Sequence, residues 1–123
     1  MKFLDSNVIA YSFYSNEYRE KCQEAIKEGG ITDTLALTEA FYIIEKIIDR
    51  KTAKESIKGV LKSDVHIVDL DINVIFQALK RVDKYNLSIF DMIHFISALL
   101  NNCTIILSYD KDFNNLDIPR EEP

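Results

Sequence analysis

The sequence predicts an α/β fold, three layers (α/β/α) built on a mainly parallel sheet of four to five strands. Three observations predict it. Short β-branched or apolar runs alternate with longer stretches of helical spacing, the pattern of βαβ units. One run, "TIIL" at Thr104–Leu107, has the apolar character of a strand buried on both faces. Finally, 123 residues that are 47% hydrophobic and 28% charged provide a core for one domain, 1–123, and do not suit a disordered chain.

Taken in order, Lys2–Leu4 reads as a short strand and Asn7 to about Tyr14 as a helix. Asn16–Glu28 is a second helix, stopped by Gly29-Gly30 because glycine accepts the left-handed turn at a helix end. Ile31–Asp33 is a brief second strand, with Asp33 or Thr34 placed to cap the next helix. "LALTEAFYIIEKIIDR" then sets Ala36, Ala40, Ile43, Ile44, Ile47 and Ile48 at helical spacing. "TAKESIKGVLKS" is a more polar helix, and Val65–Leu70 is a β-branched strand. Ile72 to about Tyr85 carries Val74, Ile75, Ala78, Leu79 and Val82 on one helical stripe. Ser88–Leu100 is a strongly apolar helix leading into Thr104–Leu107, and Leu116–Ile118 is expected to add the last strand.

No apolar run approaches a membrane span, and the chain enters its first strand without a charged leader, so a cytoplasmic location is expected. Cys22 and Cys103 fit neither a disulfide framework nor a zinc pattern and read as buried, inert thiols. The net charge of −5 gives no global attraction to nucleic acid; such binding has to come from local patches. Arg50, Lys54, Lys58 and Lys62 recur every four residues, with Lys51 beside the first. They form either a phosphate-binding stripe or, with Glu55 among them, a solvated helix face. Lys80, Arg81 and Lys84 make a second group, and Lys111 lies near the last acids. Tyr11, Phe13, Tyr14 and Tyr18 crowd the early helices as core, as a contact surface, or as a stacking platform for unpaired bases.

Ligands of open parallel sheets bind beyond the carboxyl ends of the strands, which turns attention to the acids that fall there. Asp5 follows the first strand and Asp110 follows Thr104–Leu107; each taken alone also reads as a helix or turn cap. Glu39 sits at the border of an apolar stripe, as a first-turn acid reaching water or as a carboxylate needing a cation. Asp91 fits a capping box with Ser88, yet its helix is apolar nearly all round, with Asp91, His94 and Ser97 close to one face. His94 reads as a satisfied core or rim histidine in preference to a metal ligand. Four carboxylates from four segments, gathered at one sheet edge, would repel and raise one another's pKa values. A hard divalent ion, Mg²⁺ or Mn²⁺, removes that conflict. Carboxylates around such an ion are the usual apparatus of phosphodiester hydrolysis.

Four motifs, "FLDSNV", "LTEAFYII", "SIFDMIHFISAL" and "IILSYDKDF", occur in that order along the chain. On these motifs the sequence resembles the PIN-domain ribonucleases, and especially the VapC toxins of VapBC toxin–antitoxin systems. The resemblance implies a parallel sheet between helices, Mg²⁺ or Mn²⁺, endonucleolytic cleavage of RNA, a homodimer, and inhibition by a small VapB-like antitoxin. It makes Asp5, Glu39, Asp91 and Asp110 the metal-binding, catalytic quartet, with Asp112 able to share or replace the role of Asp110. It gives Asn7, Ser6 and Ser108 supporting roles, Ser108 standing where the family usually has Thr. Met92 departs from the pattern, in a place where the family often has a small residue. A haloacid-dehalogenase-like phosphohydrolase would need a second Asp where Asn7 stands, and a receiver-like domain would need adjacent acids after the first strand. A catalytically silent PIN-like binding module is the remaining alternative.

Overall fold

Four of the six α-helices start on an aspartate whose carboxylate caps the first turn, so the sequence itself sets where the chain turns from strand to helix. In the computed structural model, which describes Met1–Pro123, β1 (Lys2–Leu4) ends at Asp5, the cap of α1 (Ser6–Tyr11). After α2 (Arg19–Glu28) comes β2 (Gly30–Asp33), whose last residue caps α3 (Thr34–Ile47). Asp49 caps α4 (Arg50–Leu61), which leads to β3 (Val65–Val68), and Asp71 caps α5 (Ile72–Arg81). Ser88 caps α6 (Ile89–Leu100), followed by β4 (Ile105–Leu107), a 3₁₀ turn at Lys111–Phe113, and β5 (Arg120–Glu121).

All four strand pairings are parallel, in the order β3-β2-β1-β4-β5. The chain leaves β1 in one direction through β2 and β3, then crosses back to add β4 on the other side of β1. Strand order therefore reverses at β1, and the crevice beyond its carboxyl end is where such sheets bind ligands. The two sheet faces bury separate cores. Leu4 and Leu107 pack with Val8, Ile9, Ala40, Ile44 and Val60 on one side. Phe3, Ile31 and Ile106 pack with Ala78, Met92, Phe95 and Ile96 on the other. This is the three-layer fold expected. No helix is long and apolar enough to cross a membrane.

Several element boundaries differ from the sequence reading, each for a local reason. The start of α2 moves from Asn16 to Arg19 because the Asn16 side chain ties the loop. Its Nδ2 donates to the Tyr11 and Tyr14 carbonyls (2.8 and 2.7 Å), and its Oδ1 accepts from Tyr18 N–H (2.8 Å). The last strand lies at Arg120–Glu121 instead of Leu116–Ile118. Ile118 is buried as a core plug, and β4 pairs instead with the residues after Pro119.

Candidate active site

The three central strands end in polar groups at the switch point. Asp5, after β1, is buried and fully bonded: Oδ1 accepts from Ser6 N–H (2.7 Å), and Oδ2 from the Ser108 hydroxyl (2.6 Å) and Asn7 Nδ2 (3.3 Å). Asn7 also reaches Ser108 Oγ (3.3 Å) and accepts from Tyr109 N–H (3.4 Å), which stitches the β1–α1 corner to the β4 corner. Ser108 Oγ in turn accepts from Asp110 N–H (2.9 Å), and Asp110 Oδ1 from Asp112 N–H (2.9 Å). Asp5 and Asp110 thus both cap a turn and both bond Ser108 at this edge.

On the other side of β1, His94 on α6 is completely buried between two carboxylates. Nδ1 lies 2.8 Å from Asp33 Oδ2 and Nε2 lies 2.6 Å from Glu39 Oε1. A ring between two acceptors satisfies both only by donating from both nitrogens, which is the protonated imidazolium. Asp33, also without exposure, spends its second oxygen on the α3 cap, accepting from Ala36 N–H (2.7 Å). Ligating atoms of Asp5, Glu39 and His94 lie within 4.8 Å of one another, as do those of Asp91, Asp110 and Asp112. Ser88 caps α6 by accepting from Asp91 N–H (3.1 Å), but the Asp91 carboxylate returns no bond. The capping box is half built, and its acid is left free.

The sequence pattern of the PIN domain matches residues 2–119. The chain belongs to the PIN-domain family. A search of curated protein sequences gives no significant match. Among solved structures, this PIN domain superposes on Mycobacterium tuberculosis VapC20, described as a sarcin–ricin loop cleaving toxin, with a TM-score of 0.83 and 15% identity over the whole of both chains. A toxin–antitoxin complex from Klebsiella pneumoniae gives 0.74 and 14%, covering 95% of this chain and 93% of that one. VapBC2 from Rickettsia felis, bound to a promoter DNA fragment, gives 0.73 and 14%, covering 98% and 97%. At these identities the superpositions establish the fold.

Within the PIN domain, the electrostatics follow from burial. Burial raises the Asp5 carboxyl above its ordinary value, against the pull of His94 and of its hydrogen bonds to Ser108 and Ser6. Asp91 is pushed up to about 6, first by burial and then by the charges of Asp110 and Asp5. For His94, burial is the largest single effect and pulls downward, but the hydrogen bonds to Asp33 and Glu39 and the charges of Asp33 and Asp5 together outweigh it and lift the ring to about 10.

The sequence reading recognises Asp33 only as a cap; the missed signal is that it ends the second strand at the same edge as Asp5. Ser97 stays outside the site, its buried hydroxyl without a partner, and Met92 packs in the core. The basic residues of α4 are exposed. Arg50 pairs with Glu45, and Lys62 stands just ahead of Val65, where β3 enters the sheet at the edge opposite the acids. Tyr11 and Tyr18 pack against Tyr109, with centroids 5.7 and 4.3 Å away, so these rings mainly brace one another.

Proposed function

We propose that this PIN domain is a metal-dependent endoribonuclease, hydrolysing RNA phosphodiester bonds as the toxin of a type II toxin–antitoxin pair. The observation that carries the reading is the Asp91 carboxylate, half-buried, without a hydrogen-bond donor, and held at about 6 by burial and by its acidic neighbours. A fold that keeps such a group ionised does so at a cost in stability, which a cation from solution offsets. The donor set fits a hard ion: it is all carboxylate oxygen, and the nearby imidazole has both nitrogens committed to Asp33 and Glu39. Asp5, Glu39, Asp91 and Asp110 would hold Mg²⁺ or Mn²⁺, with Asp112 beside them.

Bound there, the ion supplies an activated water and offsets charge on the departing oxygen. The chain's own residues do the positioning. Ser6, Asn7 and Ser108 fix the Asp5 carboxylate from three directions. His94 fixes Glu39 by one oxygen and leaves the other free. Family membership supports the nuclease reading, and the toxin–antitoxin neighbours support an antitoxin partner. Uncovered apolar side chains on α5, with Ile72 86%, Phe76 56% and Leu79 59% exposed, provide surface for a second copy or a VapB-like helix. A cytoplasmic location goes with this reading.

The test is cleavage of mixed RNA by the purified protein with Mn²⁺, Mg²⁺ or chelator. Cleavage is expected only with an ion, and Asp91→Asn should lower it by at least about a hundredfold, the equivalent of several kcal/mol of charge stabilisation. Because Asp91 ionises at a cost, the same variant should melt at a higher temperature than the parent when both are metal-free. Undiminished cleavage by Asp91→Asn would overturn the assignment.

A further inference from the structure

The ring of acids poses a problem that the proposed activity does not solve: RNA is a polyanion and the site repels it. Beside the acids lies a cleft of about 440 Å³, between the loop after α5 and the segment after Asp110, lined by Lys84, Tyr85, Asn86, Lys111, Asp112 and Asn114 among others. We infer that this cleft is a nucleotide subsite, holding one unpaired RNA nucleotide next to the acids, with its phosphate at Lys84 and Lys111 and its base against Tyr85. The inference rests on the ribonuclease reading and extends it to how the strand is held.

Lys84 and Lys111 come from different segments, and the fold brings them to one cleft. Neither is within ion-pair distance of a carboxylate, although Asp112 lines the same space. In a chain of net charge −5, two unpaired cations facing one hollow reverse the local sign. Tyr85 is a fixed wall: its ring meets Phe95 edge-on at 5.4 Å and its hydroxyl donates to Asp117 (3.3 Å). Asn114 has its oxygen taken by Arg120 Nε (2.7 Å), which leaves its NH₂ as the available end, a donor suited to phosphate or base oxygens. Cations for the backbone and an aromatic face for the base are the two parts of single-strand recognition. A base inside a duplex cannot reach such a wall, which is why the occupant is an unpaired nucleotide. The cleft is volumetrically adequate for a group of this size. It also touches the acids directly, since Asp112 lines it and lies with Asp91 and Asp110.

The experiment measures binding of a short labelled single-stranded oligoribonucleotide by fluorescence anisotropy, in chelator, across a range of salt. Lys84→Gln/Lys111→Gln is compared with Lys27→Gln/Lys46→Gln, which removes the same charge from the last turns of α2 and α3, outside the cleft lining. The cleft pair should weaken binding about tenfold or more at low salt. It should also flatten the slope of log affinity against log salt by about 0.7, the contribution of the one phosphate held there. At about 0.15 M salt, where screening leaves a reach of only about 8 Å, the control pair should change affinity less than about twofold. Equal weakening by both pairs, no weakening by the cleft pair, or an equal loss on a duplex RNA probe each overturns the subsite. Mn²⁺-dependent cleavage by the unaltered protein is assayed in parallel. If cleavage fails while the cleft pair still weakens binding, the nuclease reading falls and the nucleotide site stands; if cleavage persists and binding is unaltered, only the subsite falls.

Discussion

The least expected residue in the site is His94, which exchanges no contact with solvent and stands between two acids. Its charge is tolerable only because both ring hydrogens are used, and Asp33 is tolerable only because His94 and the Ala36 amide consume both its oxygens. Truncation should therefore cost far more than the lost packing. His94→Ala strands a carboxylate of zero exposure, and breaking a buried pair in this way removes about 3–5 kcal/mol of unfolding free energy. Chemical denaturation measures it, and a loss below about 1 kcal/mol would mean that the ring is not charged in the native protein. Adding Asp33→Asn to His94→Ala should recover part of the loss, because it removes the stranded charge and leaves a carboxamide oxygen to cap α3.

Among the elements, β2 leaves no room for a side chain where it enters the sheet beside β1. Gly30 has φ 130°, and a Cβ there would lie 2.6 Å from the Lys2 carbonyl oxygen and 2.8 Å from Leu4 Cδ1. One obstacle is the backbone of the strand that carries Asp5, so there is little room to yield. Gly30→Ala should cost about 2–4 kcal/mol, combining backbone strain with overpacking. Urea unfolding tests it; a change within about 0.5 kcal/mol would show that β1 and β2 can separate freely. The strands and helices themselves are legible in the sequence because each repeats a pattern: apolar runs for β1 and β4, the Ala36–Ala40–Ile44 spacing for α3. β5 is not, since two exposed or half-exposed residues at a sheet edge, after Pro119, carry no periodicity. Of the proposed ligands, Asp5 and Asp110 are readable because each follows a strand, and Asp91 because it lies in the first turn of α6. Glu39 lies beyond the first turn of α3 and is readable only from its place beside an apolar stripe. The Asp33–His94 bond is not, because its partners lie 61 residues apart and nothing local says which buried side chains meet.

For the molecule as a whole, the shifted groups at the carboxyl edge of the sheet act in one direction. Asp91 has a native pKa of about 6 against 3.8 unfolded. Between those values the native state keeps a proton that the unfolded chain has released, so stability falls as pH rises from about 4 to about 6. Asp5, also raised, acts the same way. His94 is lifted to about 10 from 6.5; its contribution is complete below about 6.5 and is lost as pH climbs through 10. The metal-free protein should thus be most stable in mild acid and lose ground steadily towards alkaline pH. A divalent ion competes with the proton for the Asp91 oxygens, so apparent affinity should rise up to about tenfold per pH unit below 6 and flatten above it. Thermal melts from about pH 5 to about pH 9, with and without Mn²⁺, read both effects, the second as a widening gap between the two curves. Metal-free stability that rose between about pH 5 and 7 would contradict the buried-acid account, and a gap independent of pH would remove Asp91 from the ion's ligands.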